Sequence, residues 1–325
     1  MEKILVGVDI GGTTIKLGFI NLNGTIIEKW EIPTNTTNNG NAIVDDIWKS
    51  IQNKLDNQKN NIGLYGIGVG APGFINVESG YVSEAVNIGW KGMDLKHQLE
   101  KRSTIPVFVQ NDANIAALGE YWIGAGQGSL NMIAVTLGTG VGGGIIVNGS
   151  ILNGENGMAG EIGHIKVDPE GVQCNCGGTG CLETISSATG IKRQGMNSIL
   201  INPNSKLAKY YEDKGVITAK DVIDFAKTGD ETCLKIVDYS CDILGKVLAN
   251  IGTVINPSKV IIGGGVSKAG DFLLEKIDTA FRKYAIPKLH EICELKIAQL
   301  GNDAGILGGA FLVKQNLEEQ KIQLK

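Results

Sequence analysis

No apolar run in the 325-residue chain approaches the roughly 18 residues that a membrane-spanning helix needs; the longest, such as Met132 to Leu137, have the length of strands. A surplus of positive charge is also missing. The 30 Lys and Arg are outweighed by 34 Asp and Glu, a formal net charge of −4, and no basic block breaks the balance. Neither a nucleic-acid backbone nor a membrane is therefore an expected partner. The first residues lack the cationic stretch, apolar segment and cleavage site of a secretory leader. Met1, Glu2 and Lys3 run directly into a strand-like 4–8, which points to the cytoplasm. Cysteine is too scarce for a disulfide framework: of six, three crowd into residues 174–181 while Cys233, Cys241 and Cys293 are scattered. In a reducing compartment that crowding suggests a metal.

The rest of the composition, 42% hydrophobic and 20% charged, is that of a globular chain and excludes wholesale disorder. At roughly 100 to 200 residues per domain the length suggests two. Glycine alone is abundant. Its 46 residues are about twice the usual share of roughly 7%, and they gather in knots between apolar runs, where a chain turns tightly or lets something approach its backbone.

Residues 4–27 read as strand, glycine turn, strand, Asn23-Gly24 turn and strand, and residues 132–152 repeat the pattern around Asn148-Gly149. An Asn-Gly pair between such runs predicts a type I′ hairpin. Laid over each other, Asp9-Ile-Gly-Gly-Thr falls against Thr136-Leu-Gly-Thr-Gly, so the chain reads as one architecture used twice, with two α/β halves of mixed sheet facing a cleft. Helical spacing predicts helices over 41–57, 113–121, 219–227, 231–251 and 303–315, and short apolar runs predict strands at 64–69, 105–109 and 260–262.

Three places in this frame carry chemistry. In the first, strand ends deliver Asp9, Gly11, Gly12, Thr13 and Thr14 in one copy and Gly138, Thr139 and Gly140 in the other. Backbone N–H groups can there converge on phosphates, although a plain hairpin turn would use the same glycines. No Walker or dinucleotide fingerprint is present, since each turn opens into a strand. Gly263, Gly264 and Gly265 after a buried strand would let an adenine or ribose lie flat, or simply make a βα turn. In the second place, Asn111-Asp112 sits where a strand gives way to a helix: Asp112 is a candidate general base, and helix capping is the competing reading. In the third, His164, Cys174, Cys176 and Cys181 form a Cys3His set suited to tetrahedral Zn²⁺, with a Cys174–Cys181 disulfide as the rival. Glu161 and Glu183 flank this loop, and a closed four-ligand site would be structural, holding Glu161, His164 and Glu183 toward the cleft. His97 and His290 read as solvated surface.

Asp9-Ile-Gly-Gly-Thr, Asn111-Asp112, Glu161-x-Gly-His164 and Cys174-x-Cys-Gly-x-x-Gly-Cys181-x-Glu183, in this order, resemble the ROK family (repressors, open reading frames and sugar kinases), and within it the bacterial ATP-dependent glucokinases. The resemblance runs over essentially the whole chain. It implies an actin-like, ribonuclease H-like pair of α/β domains, expected here as residues 1–112 with 303–325 and residues 113–302. It implies transfer of the γ-phosphoryl group of MgATP to the 6-OH of glucose, with an N-acetylhexosamine, mannose or fructose as alternative substrates. Asp112 matches the family's base; Asn111, Glu161, His164 and Glu183 match its sugar contacts, joined by Gly73 and Asn87; His164, Cys174, Cys176 and Cys181 match its zinc ligands. The family's members are commonly homodimers. Its repressors carry a DNA-binding domain before the first glycine turn; only eight residues precede Asp9, so that class is not expected. A non-catalytic sugar sensor or an actin-like ATPase are the readings from other classes.

Overall fold

The structure is a computed structural model that describes residues 2–57 and 62–323; residues 1, 58–61, 324 and 325, which the expected limits of the first domain include, lie outside them. The chain opens with β1 (Glu2–Ile10), β2 (Thr14–Asn21) and β3 (Ile26–Pro33). After the short turn α1 (Thr37–Gly40), Ile43, Ile47 and Ile51 bury one face of α2 (Ile43–Asp56), each contributing roughly 1.5–3 kcal/mol. Then follow β4 (Ile62–Ala71), a meander of β5 (Phe74–Asn76), β6 (Tyr81–Ala85) and β7 (Trp90–Asp94), α3 (Leu95–Ser103), β8 (Val107–Asn111) and α4 (Asp112–Ile123).

The second half begins again with β9 (Met132–Leu137), β10 (Val141–Val147) and β11 (Ser150–Ile151). A long loop ends in α5 (Glu183–Ser186), and a helical block follows: α6 (Ala188–Ile201), α7 (Lys206–Lys214), α8 (Ala219–Lys227) and α9 (Glu231–Ile255). The starts of α8 and α9 obey local capping rules: Thr218 and Asp221 form a capping box, and Asp230 accepts from the Cys233 N–H. β12 (Lys259–Gly263), α10 (Asp271–Tyr284), α11 (Pro287–Ile292), β13 (Glu294–Ile297) and α12 (Ala304–Gln323) complete the chain. Among the described residues no helix is long and apolar enough to cross a membrane.

The two five-stranded sheets share one topology. Their orders are β3-β2-β1-β4-β8 and β11-β10-β9-β12-β13, and in both the first three strands are antiparallel neighbours while the last two join in parallel. Register supports the internal repeat: the last pairs before the turns are Ile10 with Ile15 and Leu137 with Val141, so Asp9 and Thr136 hold equivalent places. The predicted I′ turn forms at Asn148-Gly149, where both residues have positive φ. At Asn23-Gly24 it does not. Only Gly24 has positive φ there, because the Asn21 side chain accepts from the N–H groups of Asn23 and Thr25 and closes a wider turn.

Two helices join the halves. α12 packs on β1 and β4, with Ile306, Leu307, Ala310 and Val313 against Leu5 and Ile20, while Leu312 faces Met132, Ala134 and Ile261 of the second sheet. Its approach to the first sheet is backbone to backbone: a Cβ on Gly309 would stand 2.6 Å from the Gly68 carbonyl oxygen. α4 lies against α12, β9 and β10. The first residue of α4 is Asp112, so the element that bridges the halves also starts at the cleft.

Candidate active site

An open cleft of about 580 Å³ between the two sheets gathers residues from both repeats: Asp9, Gly73, Asn87, Asn111 and Asp112 on one side, Gly138, Gly140, Glu161, His164, Glu183 and Gly264 on the other. Only the ends of the two glycine turns, Asp9 in one and Gly138 and Gly140 in the other, line it. Gly11, Gly12, Thr13, Thr14 and Thr139 are not among its lining residues; the first turn closes on itself (Gly11 N–H to Thr14 O, 3.1 Å) and is laced to the end of β3 by Thr34, which donates to Gly11 O at 2.7 Å.

Asn111 takes the capping role in the Asn111-Asp112 pair. Asn111 leaves β8 in an extended conformation and caps α4, its Oδ1 accepting from the Ala113 N–H at 2.9 Å, while its Nδ2 donates to the Gly73 carbonyl at 3.2 Å. Asp112 is then free to project into the cleft. Solvent reaches its side chain along the groove, yet the walls displace most surrounding bulk water. That loss, aided by the charges of Asp9 and Glu161 and opposed by the Ala113 N–H, pushes its pKa up to about 6. Burial also raises the pKa of Asp9, with Lys16 across the β1–β2 pair pulling it back.

Glu161 and His164 stand on a single 3₁₀ turn, with the His164 N–H bonded to Glu161 O at 3.1 Å. The imidazole has two faces. Its Nε2 lies 3.9 Å from Glu161 Oε2, and its Nδ1 lies 3.7 Å from Glu183 Oε1 and 3.6 Å from Cys174 Sγ. Behind it, the donor atoms of His164, Cys174, Cys176 and Cys181 all fall within 4.8 Å of one another. Cys174 and Cys181 are both free thiols, so the Cys174–Cys181 disulfide does not form in this structure, and the sulfurs of Cys176 and Cys181 stand 3.6 Å apart. A tetrahedron with Zn–S arms of about 2.3 Å has edges of about 3.8 Å, which these spacings fit. Residues 165–167 pair with 180–182, so Lys166 faces Cys181 and its Nζ donates to that sulfur at 2.8 Å.

Beyond the glycine turns, Gly264 takes φ +87° and borders both the cleft and an adjoining cavity of about 360 Å³ that includes Gly263 and Gly265. Gly265 also opens on a third cavity of about 290 Å³, walled by Ala219, Lys220 and Ile223 of α8. That wall, with Phe74 and Thr136 in the cleft, escaped motif reading; only the repeat, which sets Thr136 against Asp9, hinted at any of it. One surface assignment is corrected: His97 is exposed as expected, but His290 is half-buried and its Nδ1 has no hydrogen-bond partner, because Leu289 draws α11 down onto the core near Gly252. Burial pushes the thiols of Cys233, Cys241 and Cys293 up to about 12.

Residues 5–316 match the ROK family. The chain is 53% identical to the glucokinase of Halalkalibacterium halodurans over 316 residues, 97% of this chain and 96% of that protein. It is 37% identical to the glucokinase of Thermotoga maritima, covering 98% and 99%. Among solved structures, the ROK family glucokinase of Streptomyces griseus in complex with glucose and AMPPNP superposes with a TM-score of 0.79 at 35% identity, over 96% of this chain and 99% of that one.

Proposed function

From the premise that the chain belongs to the ROK family, with the actin-like fold of its sugar kinases, we propose that this cleft transfers the γ-phosphoryl group of MgATP to the 6-OH of glucose. The observation that carries the reading is a juxtaposition: a carboxylate with a pKa near 6, Asp112, faces Glu161, His164 and Glu183 across one groove, beside two glycine turns of the same make. Phosphoryl transfer asks the protein chiefly for positioning and for neutralisation of phosphate oxygens. Asn111, Glu161, Glu183 and His164 Nε2 hold the sugar hydroxyls by charge-assisted hydrogen bonds, with Gly73 and Asn87 at its edge. Asp112 accepts the 6-OH proton as that oxygen attacks the terminal phosphorus.

With the N–H groups of Gly11 and Gly138 held inside their own turns, the remaining backbone N–H groups of the Gly11–Thr14 and Gly138–Gly140 turns would meet the phosphates once the lobes close. The adenosine end passes Gly263, Gly264 and Gly265 toward the cavity under α8. Mg²⁺, when bound with the nucleotide, neutralises phosphate charge, and Asp9 would reach it through water. His164 Nδ1, Cys174, Cys176 and Cys181 would hold a structural Zn²⁺, whose part is to fix the loop bearing His164 and Glu183. We further assign the lobes as 1–112 with 303–325 and 113–302, the compartment as the cytoplasm, and the assembly as a homodimer.

The test is a kcat/KM panel over glucose, mannose, fructose, N-acetylglucosamine and N-acetylmannosamine, with analytical ultracentrifugation for the dimer. Glucose should lead by at least tenfold, since a site built to hydrogen-bond a hydroxyl rejects analogues that lack or misplace it. A lead for an N-acetylated sugar would replace glucose as substrate.

A further inference from the structure

Beneath the residues assigned above lies a buried amide, Gln110, that no catalytic or binding role uses. It is 1% exposed at the end of β8, immediately before Asn111-Asp112. Its Oε1 accepts from the Asn111 N–H at 2.8 Å and from Asn114 Nδ2 at 3.1 Å. Those two bonds fix which way the amide points. Its Nε2 must face outward, and there it donates to Asn153 Oδ1 at 2.7 Å. Asn153 belongs to the other repeat. It follows β11 and begins the loop that ends in Glu161 and His164.

The loop is tied down along its length. The Ala159 N–H returns to Asn153 O at 3.1 Å, and Gly160 packs against Gly143 of β10. Gly157, at φ +81°, presses so closely on the Ile75 carbonyl of β5 that no side chain fits between them. A segment of the second half is thus seated on the first half, and one of its seats, Gln110 to Asn153, is a directed side-chain bond. It links the strand end that carries the base to the loop that carries the opposing sugar contacts.

We propose that Gln110 and Asn153 are a positioning pair that sets the gap between Asp112 and Glu161 and so the seat of the hexose, an inference that rests on the glucokinase reading above. Replacing the acceptor leaves a buried N–H donor without a partner and frees the loop at its first residue. The 6-OH of a sugar whose ring Glu161 holds then wanders relative to Asp112, and a displacement of about 1 Å is enough to cost up to a hundredfold in rate.

The experiment compares Asn153→Leu, of similar volume but without the acceptor, with Asn153→Asp, which keeps it. For Asn153→Leu the account expects kcat/KM for glucose to fall roughly tenfold or more, with KM for glucose raised, KM for MgATP unmoved, and Asn153→Asp close to wild type. A variant that merely folds less well loses apparent kcat with both KM values intact, so the split separates positioning from stability. Asn153 is only half-buried in its loop, and Asn153→Ala serves as a second acceptor-free variant with the same expected split. Wild-type values for Asn153→Leu and Asn153→Ala, a loss confined to apparent kcat, or equal impairment of Asn153→Asp would each overturn the pairing. A wild-type protein that phosphorylates no hexose would instead remove the kinase reading itself.

Discussion

Replacing Asp112 by Asn separates the base from everything else that residue does. The amide keeps an oxygen able to accept the Ala113 N–H that Asp112 Oδ1 takes at 2.9 Å, and the cap of α4 belongs to Asn111, so the helix start survives. Loss of the general base alone is worth about 10² to 10⁴ in kcat, or about 2.7–5.4 kcal/mol at about 1.36 kcal/mol per tenfold. The pH dependence supplies a second signature. A base acts when deprotonated, and with a pKa of about 6 kcat/KM for the wild type should climb through about pH 6 and level off above pH 7. At pH 5 only about one-tenth of the enzyme carries the base form. The variant should keep a small residual rate without that acid limb. Stability should not fall with activity, because a carboxyl whose folded pKa is raised stabilises the fold only at low pH and loses that contribution as pH rises through about 6; the amide forgoes nothing at pH 7. Coupled ADP assays from pH 5 to 8, with glucose-dependent thermal shifts as a check on binding, measure all of this. A kcat within tenfold of wild type, or an unchanged acid limb, would refute the assignment of Asp112.

Cys176→Ser removes one of four donors from the Cys3His cluster; bound zinc by elemental analysis should drop well below about one per chain and KM for glucose should rise with it, whereas full zinc content would show that Cys176 is no ligand. Gly309→Ala introduces a Cβ 2.6 Å from the Gly68 carbonyl; overpacking of that kind costs about 1–3 kcal/mol, so Tm should fall by several degrees, and an unchanged Tm would mean that α12 does not seat on β4 as described.

The parts of the fold that could be read in the sequence are those written in consecutive residues. β1 to β3 and β9 to β11 declare themselves through apolar runs and glycine turns, and α8 through its helical spacing over 219–227. β5 to β7 did not, because strands of only three to five residues, with no more than one or two buried positions each, look like loop. α6 was hidden for a related reason: Gly190 and Gly195 occupy its buried face and dilute the helical period. Asn23-Gly24 misled because a neighbouring Asn side chain, not backbone preference, decides that turn. At the cleft the same distinction holds. Asp9, Asp112, Glu161, His164 and the cysteines lie in compact motifs whose residue types state their chemistry, while Thr136, the α8 wall and the Gln110–Asn153 bond arise only when segments more than forty residues apart are brought together.

Hexose-dependent phosphoryl transfer in this cleft is tested most directly by ³¹P NMR of the purified protein with MgATP, with and without glucose. It predicts ADP and glucose 6-phosphate appearing in equal amounts and little ADP when the sugar is withheld. ADP formed at the same rate without glucose, or no ADP in either sample, would contradict it.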